Sequence, residues 1–129
     1  IPFNEDLIIK IEDVDTCEII ISQLLEDRAI DAVFAVNELF AVTIIKTAYK
    51  MGLKVPQDLA VIAFTDGIIS KYSTPSITTV SQSGNKMGNK AAKMLIDRLE
   101  SETEEKEEAE ENYKTEVIET HLIERESTD

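Results

Sequence analysis

The stretch DAVFAVNELFAVTIIKTAYKMGLKVPQDLAVIAF, residues 31–64, decides the fold. Ala32 to Val36 is a continuous apolar run too short for a helix, so it reads as a buried strand. Leu39 to Met51 reads as a helix. It is apolar almost all round, with Ala41, Val42, Ile44, Ile45 and Ala48, so more than one of its sides must be covered. Gly52 ends it in the left-handed conformation that glycine tolerates best. Val55-Pro56-Gln57-Asp58 reads as a turn, and Leu59 to Phe64 as a second buried strand. Strand, helix and strand in that order predict a parallel pair with a helical crossover.

The pattern extends in both directions. Upstream, Leu7 to Ile11 reads as a strand. Asp15 or Thr16 caps a helix running to about Asp27, whose apolar face is Cys17, Ile20, Ile21, Leu24 and Leu25. Downstream, residues 65–74 read as a loop containing Gly67 and closing on Pro75. Ile77 to Val80 is a short β-branched strand. A helix follows from Gly84 to Leu99, with Met87, Ala91, Met94, Leu95 and Leu99 on one face. From Glu100 to Glu111 nearly every residue is charged, which reads as a solvated helix end or loop and not as a metal site. Thr115 to Arg125 reads as a final strand or pair of strands. The whole predicts an α/β fold: an open, mainly parallel sheet with helices on both faces.

Composition narrows the function. The chain has 129 residues, enough for one domain with a core. Only 5% are aromatic and none is Trp, so Ile, Val, Leu and Ala must fill that core. No apolar run is long enough to cross a bilayer, so no membrane association is expected. The opening Ile1-Pro2-Phe3-Asn4 lacks a basic stretch and reads as a cut inside a longer protein. The single cysteine, Cys17, reads as a small apolar residue on a helix face and not as a catalytic thiol. The net charge of −13 repels phosphate backbones, so this piece alone is not expected to hold DNA.

In open parallel sheets ligands bind beyond the carboxyl ends of the strands, where loops converge and helix N-termini offer free N–H groups. That rule selects Glu12-Asp13, Asn37-Glu38 and Thr65-Asp66. These residue types suit recognition of a hydroxyl-rich ligand. Asn offers a donor and an acceptor on one rigid amide, and Asp accepts hydroxyls. There is no Ser–His–acid set, no His/Cys cluster for zinc and no glycine-rich phosphate loop. Neither an enzyme nor a cofactor or metal is therefore expected. Asn37 is equally well placed to cap the Leu39 helix, and one amide can do both.

Several segments, in their order, resemble the LacI/GalR transcriptional regulators. Residues 31–38 resemble the family strand ending in Ala-Asn-Asp. Residues 52–64 resemble Gly-x-x-Val-Pro-x-Asp-x-x-Val-x-Gly-Phe, and Pro75 to Val80 resemble Pro-x-Leu-Thr-Thr-Val. Met87-Gly88 and Ala91-Ala92 resemble the family's Met-Gly and small-residue helix. Leu122 to Thr128 resemble Leu-x-x-Arg-x-Ser-Thr, and Ile1 to Ile9 the Ile-Pro strand entry.

The resemblance implies a periplasmic-binding-protein-like (type I) sensor of two α/β subdomains holding a small polar effector, a sugar or a related compound. Residues 1–80 would form the C-terminal subdomain core. Residues 81–112 would be a crossover helix and acidic linker belonging to the N-terminal subdomain, and 113–129 the return strand and C-terminus. Asn37, Thr65 or Asp66, and Gln82 would contact the effector. Val42, Ile45, Ile68, Ile69 and Tyr72 would form a homodimer contact. The parent would be cytoplasmic and touch DNA only through a helix-turn-helix headpiece lying outside this chain. The sequence departs from the family at Ala63 for Gly, Thr65 for Asp and Glu38 for Asp, which bears on the effector's identity. The Gly84 helix would lose its partners, so repacking on its own chain or a second copy is expected. Periplasmic sugar-binding proteins share the fold. A receiver domain is a further alternative, but Asn37 stands where its acceptor Asp would, and its late Lys-Pro is absent.

Overall fold

The computed structural model describes residues 4–26, 30–101 and 114–129. The chain divides into two compact units, residues 1–80 with 122–129, and residues 81–121.

In the first unit, α1 spans Val14–Glu26, β1 Ala32–Ala35, α2 Glu38–Lys50, β2 Ala60–Phe64 and α3 Ile68–Tyr72. β3, Thr78–Ser81, and β4, His121–Ile123, complete a sheet in the order β1-β2-β3-β4. β1 pairs parallel with β2, placing Phe34 opposite Ile62, and β2 pairs parallel with β3, placing Phe64 opposite Val80.

The core follows from the two periodicities. Cys17, Ile21 and Leu25 of α1 recur one turn apart and are buried. Ala41, Ile44, Ile45 and Ala48 form the matching face of α2. Alternation along the strands adds Ala35, Val61 and Ala63 to the same cluster. On the opposite face of the sheet Phe34 is 62% exposed and meets Phe64 edge to face. α2 stops as its sequence demands. Gly52 takes a φ of +79°, and the Leu53 N–H returns to the Ala48 carbonyl at 2.9 Å.

Four expectations need correction. Leu7 to Ile11 forms no strand. Glu5–Leu7 instead makes a 3-10 turn capped by the Asn4 side chain. Among the described residues β1 is the sheet edge, so this apolar run has no ladder to join, and Leu7 and Ile8 stay exposed. The cap of α1 is Asp13, whose carboxylate accepts from the Thr16 N–H and hydroxyl at 2.7 Å each. The Thr16 backbone and side-chain hydrogen bonds hold the Asp13 carboxyl below its usual range. Finally, the stretch 65–74 is not all loop, because it contains α3.

The last strand is also shorter than expected, with 114–120 outside regular structure. The core of the acidic run, 102–111, lies outside the described residues.

The second unit carries α4, Gly84–Ser101. Glu116 accepts from Lys90 at 3.1 Å and Lys114 at 3.2 Å. Met87, Leu95 and Leu99 of α4 are exposed among the described residues. Val117, in the segment that Lys90 and Glu116 join to α4, is exposed too.

Candidate functional site

The carboxyl ends of β1 and β2 carry the polar residues singled out above. Asn37 has extended backbone at the start of α2, and its Oδ1 accepts from the Phe40 N–H at 3.0 Å. The cap engages the acceptor half of the amide and leaves its donor half outside that bond. The following residue reaches further. Glu38 Oε2 accepts from the Ser70 N–H at 3.1 Å and the Ser70 hydroxyl at 3.0 Å. The loop after β1 is thereby tied to α3, and the bond supplies an acceptor that the short helix lacks locally, since Gly67 has no side-chain cap.

Thr65 follows β2 with a φ of +95°, and its N–H donates to the Val80 carbonyl at 3.0 Å. A β-branched residue there carries strain of order 1–3 kcal/mol, which persists only where neighbours over-determine the geometry. The next residue, Asp66, is firmly held. Its Oδ1 accepts from Arg125 Nη2 at 2.6 Å and Thr79 Oγ1 at 3.1 Å, and Lys71 Nζ lies 3.6 Å from Oδ2. Burial pushes the Asp66 carboxyl up, but the hydrogen bonds from Arg125 and Thr79 and the charges of Arg125 and Lys71 outweigh it, leaving the pKa below its usual value. Arg125 also donates from Nη1 to the Ile77 carbonyl at 2.7 Å and to Thr79 Oγ1 at 3.1 Å.

The expected residues therefore fall into different situations. Asn37 and Thr65 stand at neighbouring strand ends, with Thr65 exposed and Asn37 half-buried. Asp66 is committed to an internal ion pair. Gln82 belongs to the second unit, between β3 and α4. Glu12 is exposed, and Asp13 serves α1. Of the residues expected at a dimer contact, Ile68 and Tyr72 are 74% and 82% exposed, and Ile69 is partly so. Val42 is half-buried, and Ile45 lies in the core. Sequence reasoning missed the joining roles of Glu38 and Arg125. The only signal was that Arg125 falls in the Arg-x-Ser-Thr segment. Among the described residues no group of His, Cys, Asp and Glu could hold a metal.

The family model of the periplasmic binding protein-like domain matches residues 8–128. The HTH-type transcriptional regulator CelR of Thermobifida fusca is 36% identical over 105 residues, 80% of this chain and 29% of CelR. The chain thus spans under a third of that relative. A solved CelR–cellobiose complex superposes with a TM-score of 0.77 at 29% identity, covering 97% of this chain and 37% of that one. A LacI-family regulator from Sanguibacter keddieii superposes with a TM-score of 0.82 at 26% identity, covering 97% of this chain and 46% of that one. The chain belongs to the periplasmic-binding-protein-like domain family, in the form carried by the effector-binding part of LacI-type transcriptional regulators.

Proposed function

We propose that this chain is the sensing and dimerisation part of a LacI-type regulator, which binds a sugar or related polar effector and thereby controls DNA binding by a headpiece elsewhere in the protein. The observation that carries the reading is the likeness, over nearly the whole chain, to a regulator complexed with cellobiose. The geometry supports it. Asn37 keeps the donor half of its amide outside the helix cap, and Thr65 presents a hydroxyl at the adjacent strand end. Thr65 offers one hydroxyl where a carboxylate would take two, so the effector makes fewer charge-assisted bonds here. Asp66 acts behind the site, since its oxygens are already engaged.

α3 supplies the dimer contact through Ile68, Ile69 and Tyr72, with Val42 at its edge and Ile45 packed behind. Because its relatives are HTH-type transcriptional regulators, we place the protein in the cytoplasm. The test is calorimetric titration of the full-length protein with cellobiose, lactose, sucrose and ribose, paired with operator binding with and without the sugar that binds. Failure of all four to bind, or binding that leaves DNA affinity unchanged, overturns the reading.

A further inference from the structure

We propose that Arg125 is a positioning residue for effector recognition, setting the affinity of the loop after β2 through the Asp66 carboxylate. This rests on the reading above, in which Thr65 faces the ligand. Thr65 holds a positive φ that its β-branched side chain disfavours. The next residue is held by Arg125 Nη2 at 2.6 Å and Thr79 Oγ1 at 3.1 Å, with Lys71 nearby. Arg125 is itself fixed. Its Nη1 reaches the Ile77 carbonyl and Thr79 Oγ1, and its backbone N–H donates to Thr78 Oγ1 at 2.8 Å.

The guanidinium therefore ties the segment after β4 to β3 and to the exit of β2 at once. Its planar fork is what permits this, because one ammonium cannot serve the same spread of acceptors in fixed directions. Arg125 and Asp66 side chains are 15% and 12% exposed, so the pair is shielded from water and held in one geometry. A ligand contact placed by a loop loses affinity when the loop gains freedom, since binding must then order it. By this argument the segment after β4 sets effector affinity without touching the effector.

The experiment compares the full-length wild type with Arg125→Lys and Asp66→Asn. Arg125→Lys keeps the positive charge and avoids stranding a buried carboxylate, as Arg125→Ala would. Two readouts are taken: amide hydrogen exchange without ligand, and calorimetric affinity for whichever of cellobiose, lactose, sucrose or ribose the wild type binds. The expected result for both variants is exchange about tenfold faster at residues 65–69, unchanged exchange at Val61 and Ala63, and about tenfold weaker sugar binding. Unchanged exchange at 65–69 overturns the proposal. So does faster loop exchange with unaltered affinity, because the pair then serves the fold alone. If the wild type binds no sugar, the functional reading fails and Arg125's role in recognition fails with it. The exchange data still report separately whether the latch holds the loop.

Discussion

The Glu38 carboxylate fills the space that a Cβ on Gly67 would need. A side chain at Gly67 would displace the end of the Glu38 side chain, while the backbone φ of −102° makes no demand for glycine. A methyl group there would push the carboxylate aside and strip the buried Ser70 of its acceptor. We expect Gly67→Ala to destabilise by about 1–3 kcal/mol. With Glu38→Ala already present, the same change should be neutral or slightly stabilising, because alanine costs the unfolded chain freedom. Urea unfolding of the four proteins in a double-mutant cycle measures the coupling. Additive losses would mean that the two positions act separately.

Asn37 carries two roles that can be pulled apart. Asn37→Ala removes the cap and should cost about 1 kcal/mol. Asn37→Ser retains a capping oxygen, so its stability should stay within about 0.5 kcal/mol of wild type. Both should weaken sugar binding by about tenfold, as expected for one lost hydrogen bond. Calorimetry beside thermal unfolding decides it. Wild-type affinity in the Ser variant would leave Asn37 as a helix cap only.

The depressed pKa of Asp66 has a defined consequence in acid. Its folded value lies below the usual 3.8, so the folded state favours the ionised carboxyl. The stabilisation is therefore complete above about pH 4 and drains away as pH falls through the folded pKa. Asp66→Asn lacks this term. The stability gap between wild type and Asp66→Asn should be constant near neutrality and narrow steadily below pH 4. A gap that is flat down to pH 2 in denaturant titrations would contradict the assignment.

The residues expected at the dimer contact should separate by burial. Tyr72→Asp or Ile68→Asp changes an exposed side chain and should shift the protein towards monomer at micromolar concentration without loss of fold. Ile45→Ala opens the core instead and should cost about 2–5 kcal/mol. Sedimentation measures the first and unfolding the second. Unchanged association in the Tyr72 and Ile68 variants would remove α3 from the interface.

The parts of the fold legible in the sequence are those set by local pattern. Ala32–Ala35, the α2 face and Ala60–Phe64 announce themselves by apolar runs and helical spacing. The Gly52 stop does so by glycine's tolerance of positive φ. α3 was invisible because its N-terminus is satisfied by Glu38, 32 residues upstream. Leu7 to Ile11 misled because an apolar run specifies a strand only where a neighbouring strand is available. At the site, the strand-end rule picked out Asn37 and Thr65 by position. It could not reveal that Asp66 is taken by Arg125, 59 residues away, since no local spacing encodes that pair.

Ser127 lies at the amino ends of β2 and β3. Its N–H donates to Ser76 O at 2.9 Å, and its carbonyl accepts from Val61 N at 3.0 Å. Its hydroxyl donates to Val61 O at 2.5 Å and accepts from Thr78 N at 2.9 Å. The strands it joins are translated 66 and 49 residues earlier. During synthesis both strands leave the ribosome with these backbone groups still unmatched, and the seam closes only when the much later serine emerges. The nascent chain thus passes through an interval with an unsealed sheet, whose open backbone groups are free to pair with other chains.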